Sequence, residues 1–283
     1  MKQNVKTGIK IGALCLAVLL VICIVIAGMV ILPQLRKKGK RYQETTDFKN
    51  RHEHVQMIAH RGLSGLALEN TTAAFIEAGK RTYYGIETDV RITKDKKFII
   101  FHDDTLTRIV GQDVNVEDLT YDELRELRFK DTYGKSEEKT CAFASVEEYY
   151  NVCKGYSKHA VLELKSEFTA EQIRELVTMS EGYGWLENTT FISFSRENLI
   201  FLRGLYPEVS AQYIVEKCTE SDENFMIENK LDASLCWISV TRSRVRRLHN
   251  AGLKVNCWTV DGAACATLMQ DYGVDQITTN ILE

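Results

Sequence analysis

The chain has 283 residues, with 36 Lys or Arg against 39 Asp or Glu and a formal net charge of −3. Ten of those bases and three of those acids fall in residues 1–54, which leaves 26 bases against 36 acids in 55–283, a net of −10. A body that acidic has no electrostatic footprint for a polyanion, so no nucleic-acid partner is expected. A hydrophobic content of 45% excludes a mostly disordered chain.

The first element expected is a membrane helix. After a short basic segment, 1–10, Ile11 to Leu32 runs 22 residues without a charge and stops before Pro33. At 1.5 Å per residue such a helix is about 33 Å long, enough for a bilayer core of about 30 Å. The competing reading is a cleaved signal peptide, with Val25-Ile26-Ala27 as its small-residue site. Signal h-regions usually span about 7–15 residues, so the length of this run favours an uncleaved anchor and a single-pass protein of the cell membrane. Lys2, Lys6 and Lys10 precede the span, while Arg36, Lys37, Lys38, Lys40 and Arg41 follow it. That asymmetry leans the C-terminal part towards the cytoplasm. Residues 33–54 are polar and aperiodic and read as a juxtamembrane linker. The eight cysteines form no CxxC pair and read as scattered thiols, not as a disulfide framework or a zinc site.

From 55 to 283 short apolar runs alternate with amphipathic stretches. Strands are expected at Val55–Ala59, Gly85–Ile92, Phe98–Phe101, Ala160–Leu164, Thr190–Phe194, Ser210–Val215, Ser234–Val240, Lys254–Val260 and Asp275–Thr278. Helices are expected at Asn70–Lys80, Thr120–Leu127, Thr169–Tyr183, Arg196–Tyr206, Asp222–Lys230, Thr241–Ala251 and Gly262–Tyr272. Strands separated by helices imply parallel βαβ units. Nine strands is one too many for an eightfold barrel, but only Thr93–Lys97 separates Ile92 from Phe98, too short a gap for a parallel crossover. Those two runs should form an antiparallel hairpin, which leaves eight. The expected fold is therefore α/β, a TIM-type (β/α)8 barrel over 55–283 with a small insertion at about 103–148, preceded by one transmembrane helix. A doubly wound open sheet is the alternative.

In such a barrel the site lies at the C-terminal strand ends. There the sequence puts His60 and Arg61 after the first strand, Glu87 and Asp89 on one face of the second, and His102 after the hairpin return. Glu163 and Lys165 share a face of the next strand, and Trp258 ends the seventh. Singly, each is ordinary: a strand-end histidine, a solvent-facing acidic pair, an intrastrand ion pair, a core tryptophan. Together they are not. Three carboxylates aimed into a barrel mouth need a cation, and an oxygen-only donor set suits one divalent ion, Mg²⁺ or Ca²⁺. Arg61 offers a fork that fits phosphate, and two histidines offer an acid–base pair.

The run IAHRGLSGLALENTTAAFIEAGKRTYYGIETDVRITKDKKFIIFHDDTLTR, Ile58 to Arg108, resembles the N-terminal signature of the glycerophosphodiester phosphodiesterase family. The resemblance continues through Ser145–Glu148, Glu163-Leu164-Lys165, Ser193-Phe194, Trp258-Thr259 and Gly273-Val274-Asp275. It implies a barrel with a small insertion and a metal-dependent hydrolase that cleaves small glycerophosphodiesters to glycerol phosphate and an alcohol. By the same resemblance Glu87, Asp89 and Glu163 are metal ligands, His60 and His102 the general acid–base pair, and Arg61 a phosphate clamp. Lys165 is carried over to the phosphate and Trp258 to the glycerol end. With the anchor, the implied partners are that substrate and membrane lipid. Two alternatives stand beside it: a lysophospholipase D acting on membrane lysolipids, and a catalytically silent headgroup or phosphate receptor.

Three departures from the family pattern stand out: Leu68 for a proline, Asp95-Lys96 for Asp-Gly, and Thr278-Thr279-Asn280 for a Thr-Asp-x-Pro run. None is expected to touch the metal or acid–base set, and the last removes a carboxylate from the end of the final strand.

Overall fold

The computed structural model describes residues 55–129 and 142–283, together with Val18, Val25 and Gly28. The rest of the expected membrane helix, 11–32, and its flanking segments 1–10 and 33–54 lie outside the described residues. Among the described residues no helix is long and apolar enough to cross a membrane.

Eight strands close a parallel barrel: β1 (Gln56–Ala59), β2 (Gly85–Ile92), β4 (His159–Leu164), β5 (Thr189–Ser193), β6 (Ser210–Val215), β7 (Asp232–Cys236), β8 (Val255–Trp258) and β9 (Gln276–Thr279). The ring is closed by β1, which pairs with β9 on one edge and with the start of β2 on the other. The ninth strand, β3 (Phe98–Ile100), is antiparallel to the far end of β2, with Val90 opposite Ile100 and Ile92 opposite Phe98. The hairpin and the barrel are thus both present, and the open-sheet alternative falls to the β1–β2 closure.

Seven described helices alternate with the barrel strands: α1 (Thr72–Gly79), α3 (Val146–Gly155), α4 (Ala170–Gly182), α5 (Arg196–Leu205), α6 (Glu220–Glu228), α7 (Arg242–Asn250) and α8 (Ala263–Tyr272). An eighth, α2 (Tyr121–Glu126), belongs to the insertion. Side-chain oxygens cap all of these helices except α8, which starts after Gly262. Thr120 with Glu123, Ser145 with Glu148, Thr169 with Gln172 and Thr219 with Asp222 each form a reciprocal capping box. Three starts differ from expectation. α6, expected from Asp222, begins at Glu220 behind a Thr219 cap. α1 is capped by Thr71, not Asn70, because the Asn70 amide is drawn into the strand-end site. The sequence reading also lacks α3 altogether: Val146, Glu147 and Glu148, placed in the insertion, form the first turn of a barrel helix.

Alternation along β3 divides the core. Phe98 and Ile100 face the main core between barrel and helices, whereas Ile99 and Phe101 face a second cluster with Leu68, Leu106, Val116, Leu124 and Phe143. Phe101 packs 5.0 Å from Phe143, and Phe129 packs 4.7 Å from Phe143. The insertion therefore has its own apolar core, clamped to the back of the strand that delivers His102. Leu68, where the resemblance leads one to expect proline, is 4% exposed within that cluster, so burial replaces the missing φ restraint. Inside the barrel, Ile58, Val161, Ile192 and Ile214 fill a layer beneath Trp258.

Replacing Phe101 by Ala should cost about 3–5 kcal/mol in urea denaturation, the range for a fully buried phenylalanine. It should also raise hydrogen exchange in the insertion more than in β5–β8, because the void opens in the second cluster.

Candidate active site

The turn after β1 is built around unusual backbone. Arg61 has φ 54° and Gly62 φ 72°, which aims the Arg61 N–H at Glu87 Oε2, 2.7 Å away, and the Gly62 N–H at the Glu87 carbonyl, 3.0 Å away. A Cβ on Gly62 would lie 2.6 Å from the Ala74 carbonyl carbon, so only glycine fits there. A left-handed arginine is costly backbone, and its partners are all site residues. The Arg61 carbonyl in turn accepts from the Asn70 N–H at 3.0 Å, and Asn70 also has positive φ, 56°.

Alternation on β2 puts Glu87, Asp89 and Arg91 on one face, and the parallel register sets Asp89 opposite Glu163 of β4. Glu87, Asp89 and Glu163 are 2%, 0% and 8% exposed. One oxygen from each can be chosen so that all three lie within 4.8 Å of one another. Two buried oxygens of the set, Glu87 Oε1 and Asp89 Oδ1, have no hydrogen-bond partner. Lys165 Nζ is 2.8 Å from Glu163 Oε1 and 3.8 Å from Asp89 Oδ1. Burial, with the charges of Asp89 and Glu163, pushes the Glu87 carboxyl far above its usual range. Burial and the Asp89 charge also raise Glu163. Asp89 goes the other way: against the pull of burial, Arg61, His102, Lys165 and an Asn70 hydrogen bond hold it well down. Asn70 Nδ2 donates to Asp89 Oδ2 at 2.7 Å, and Thr88 Oγ1 donates to Asn70 Oδ1 at 2.8 Å.

An alternating chain of charges links this cluster to His102. Arg61 Nη1 donates to Glu69 Oε1 at 2.8 Å, and its Nε lies 3.4 Å from Asp89 Oδ2. Arg108 grips Glu69 with two bonds, 2.6 and 2.9 Å, and Asp103 with two more, 2.7 and 2.9 Å. Asp103 Oδ1 lies 2.7 Å from His102 Nδ1. Arg91, 5% exposed, donates from Nε and Nη2 to the His102 carbonyl at 3.1 and 2.8 Å. His102 is thus held from its peptide and from its ring.

His60 is held differently. Its Nδ1 meets Asn280 Oδ1 at 2.8 Å, and Asn280 Nδ2 donates to Asp261 Oδ2 at 2.7 Å. Burial and the neighbouring Arg61 charge bring the His60 ring down to about 3. The third departure therefore does touch the acid–base set, contrary to expectation. Its side chain is the direct partner of His60.

All of these groups converge on a cavity of about 110 Å³. His60, Arg61, Glu87, His102, Glu163, Lys165 and Trp258 line it, and Asp89 sits directly behind, bonded to Arg61, Asn70 and Lys165. Every site residue singled out in the sequence is accordingly brought to one place. Trp258 forms an apolar wall with Ile192 and Ile214, its Nε1 donating to the Ser234 carbonyl at 3.0 Å, and Phe194 stands edge-on to it at 5.7 Å. Glu69, Asn70, Asp103, Arg108 and Asn280 were given no role of their own. The first four lay inside the quoted run, where a coupled charge chain leaves no local pattern. Asn280 stood out only as a departure.

The model of the glycerophosphoryl diester phosphodiesterase family matches residues 60–283. The chain belongs to this family. It is an enzyme of the phosphoric diester hydrolase class. As a family member it is 31% identical over 237 residues to YhdW of Bacillus subtilis, a protein provisionally named a glycerophosphodiester phosphodiesterase, across 80% of this chain and 94% of that one. It superposes with a TM-score of 0.74 and 26% identity on an Oleispira antarctica phosphodiesterase solved with the product sn-glycerol-3-phosphate, covering 80% of this chain and 93% of that one. A 67-residue stretch is 48% identical to human lysophospholipase D GDPD1, over 24% of this chain and 21% of that protein.

The charge chain carries a pH signature. Burial pushes the Glu69 carboxyl up, but Arg108 and Arg61 outweigh it and hold it at about 2, below its ordinary 4.5. A carboxyl depressed on folding stabilises the fold above its unfolded pKa and loses that contribution as pH falls through the folded value. Between pH 4.5 and 2, Glu69→Gln should therefore lose less stability than the parent chain in thermal melts at stepped pH.

Proposed function

We propose that the chain is a membrane-anchored glycerophosphodiester phosphodiesterase that depends on a divalent cation and releases glycerol phosphate and a free alcohol. The observation that carries this reading is the buried Glu87, Asp89 and Glu163 set, with two oxygens lacking hydrogen bonds, at a cavity that is also lined by two histidines. Unpaired buried carboxylate oxygens are costly, and a hard cation relieves that cost. These residues fit such an ion, Mg²⁺ or Ca²⁺, which when bound supplies charge neutralisation at the phosphoryl oxygens.

The chain's own groups do the rest. Arg61 Nε is buried without a hydrogen-bond partner and Lys165 lines the cavity, so both are offered to the phosphate. Trp258, with Ile192 and Ile214, offers an apolar wall to the glycerol carbons. Each histidine is held through Nδ1, which leaves its Nε2 for proton transfer. One takes a proton from the nucleophile and the other gives one to the alcohol as its P–O bond breaks. Water as nucleophile gives glycerol phosphate directly, whereas the glycerol 2-hydroxyl gives a cyclic phosphate that a water then opens. Arg61, fixed by Glu69, sets the phosphate between them.

The anchor, residues 11–32, would keep the barrel at a bilayer, leaning to the cytoplasmic side by the charges that flank it. Val18 and Val25 are helical and exposed, which suits a lipid-facing helix. A second reading, a lysophospholipase D, is favoured by one feature: Phe194, 46% exposed beside Trp258, extends the apolar wall to the cavity edge where an acyl chain would leave.

The test follows glycerol phosphate release from glycerophosphocholine and glycerophosphoethanolamine by the full-length chain in detergent, with Mg²⁺, with Ca²⁺ and with chelator. Chelator-sensitive turnover is expected, with His102→Ala lowering kcat by about 10²–10⁴-fold. Turnover of lysophosphatidylcholine alone would shift the assignment to the second reading. No turnover of any of them by folded protein with either ion would sink both.

A further inference from the structure

Asn280 ends β9, and its side chain lies between two groups that make opposite demands. On one side is Asp261, whose Oδ1 accepts from the Asn280 N–H at 2.8 Å and the Thr279 hydroxyl at 3.1 Å, and whose Oδ2 accepts from Asn280 Nδ2 at 2.7 Å. A carboxylate oxygen requires a donor, so the amide nitrogen must face Asp261. The amide oxygen is then turned the other way, where Ser64 Oγ donates to it at 2.6 Å and His60 Nδ1 lies 2.8 Å away. An oxygen has no proton to give, so the ring nitrogen must carry one.

We infer that Asn280 is a positioning residue that fixes His60 as the Nδ1–H tautomer, leaving Nε2 free to accept a proton in the cavity. The surroundings agree. His60 lies beside Arg61, and desolvation together with that charge drives its ring well towards the neutral form. Neutral imidazole with Nδ1 protonated has its lone pair on Nε2, the nitrogen left to the cavity. The backbone holds the amide in turn: the Asn280 carbonyl accepts from the Gly65 N–H at 3.0 Å, and a Cβ on Gly65 would lie 2.6 Å from that carbonyl oxygen. The loop carrying Ser64 is thus locked to the strand carrying Asn280. In the proposed reaction His60 then takes the proton and His102 gives one, an assignment that rests on that reading.

The clamp needs one amide and one carboxylate. Asn280→Asp alone puts a second carboxylate 2.7 Å from Asp261 Oδ2, where like charges repel. Exchanging the two, Asp261→Asn with Asn280→Asp, restores every donor and acceptor: the new amide donates to residue 280, and the new carboxylate accepts from Ser64 and His60.

The experiment uses the full-length chain labelled with ¹⁵N-histidine, with long-range ¹H–¹⁵N spectra to read each ring nitrogen and His60→Gln to assign the His60 signals. In the parent chain His60 is expected as Nδ1–H with an unprotonated Nε2, and in Asn280→Leu the Nε2–H tautomer becomes populated. Asn280→Leu should lower kcat about 10–100-fold with KM within about threefold, since ring orientation is lost and substrate contacts are not. Asn280→Asp should fall as far, and the exchanged pair should recover to within about tenfold of the parent. An Nε2–H tautomer in the parent chain overturns the inference, as does an unchanged tautomer and kcat in a folded Asn280→Leu. The tautomer is read without turnover: a parent chain that cleaves no diester yet shows Nδ1–H fails the proposed function and upholds the role of Asn280.

Discussion

Three carboxylates in the mouth of one barrel are the constraint around which the rest of the site is arranged. The register of β2 and β4 sets Asp89 opposite Glu163, and alternation adds Glu87, so the strands cannot move the charges apart without breaking the sheet. At separations up to 4.8 Å, like charges repel by about 3–4 kcal/mol per pair even at an effective dielectric constant of 20. The protein answers with two cations, Arg61 and Lys165, and by driving Glu87 towards its protonated form. Glu87 Oε1 and Asp89 Oδ1 are still left without a hydrogen bond. A structure that evolved only for stability would fill such a site with apolar side chains of similar volume.

The same constraint explains the backbone on the neighbouring strand. Arg61 serves the cluster from two directions, its N–H to Glu87 and its guanidinium to Asp89, and the left-handed turn presents both. Glu69 and Arg108 hold the far end of that guanidinium. Arg108 belongs to the insertion, whose apolar core rests on Ile99 and Phe101. Packing on the back of β3 is therefore connected to chemistry at the front: the second core orders the loop, the loop supplies Arg108, and Arg108 steadies Asp103 against His102. Asp104 reinforces this from the other side by accepting from Arg91 Nη2 at 2.5 Å, the same guanidinium that holds the His102 peptide.

Much of this was legible in the sequence because it rests on short-range rules. Period-two apolar runs marked the strands, threonine caps marked three helix starts, and the five residues Thr93–Lys97 forced the antiparallel hairpin that makes nine strands into an eightfold ring. The carboxylates were legible for the same reason, since spacing of two on a strand fixes a shared face. The hidden parts depend on distant partners. Helix α3 was overlooked because its charged start, Val146-Glu147-Glu148, looked like a continuation of a polar insertion, although Ser145 and Glu148 form a capping box. Asn70 resembled a helix cap, and only the fold shows its amide between Thr88 and Asp89. Asn280 meets His60 across 220 positions of sequence, and no local pattern announces a hydrogen bond of that range.

That last contact bears on how one cavity could hold both the proton acceptor and the proton donor of the proposed reaction. His60 and His102 are the same side chain at the ends of neighbouring stretches of sheet, yet their Nδ1 partners differ by a full charge: a neutral amide for His60, a carboxylate for His102. His60 also lies beside the Arg61 guanidinium, and neither ring is fully buried. Burial beside a cation, with only an amide at Nδ1, disfavours an imidazolium, so His60 offers a lone pair. Two identical side chains in identical surroundings would compete for one role; in the proposed reaction, Nδ1 partners that differ in charge let a single cavity take a proton on one side of a phosphate and return one on the other.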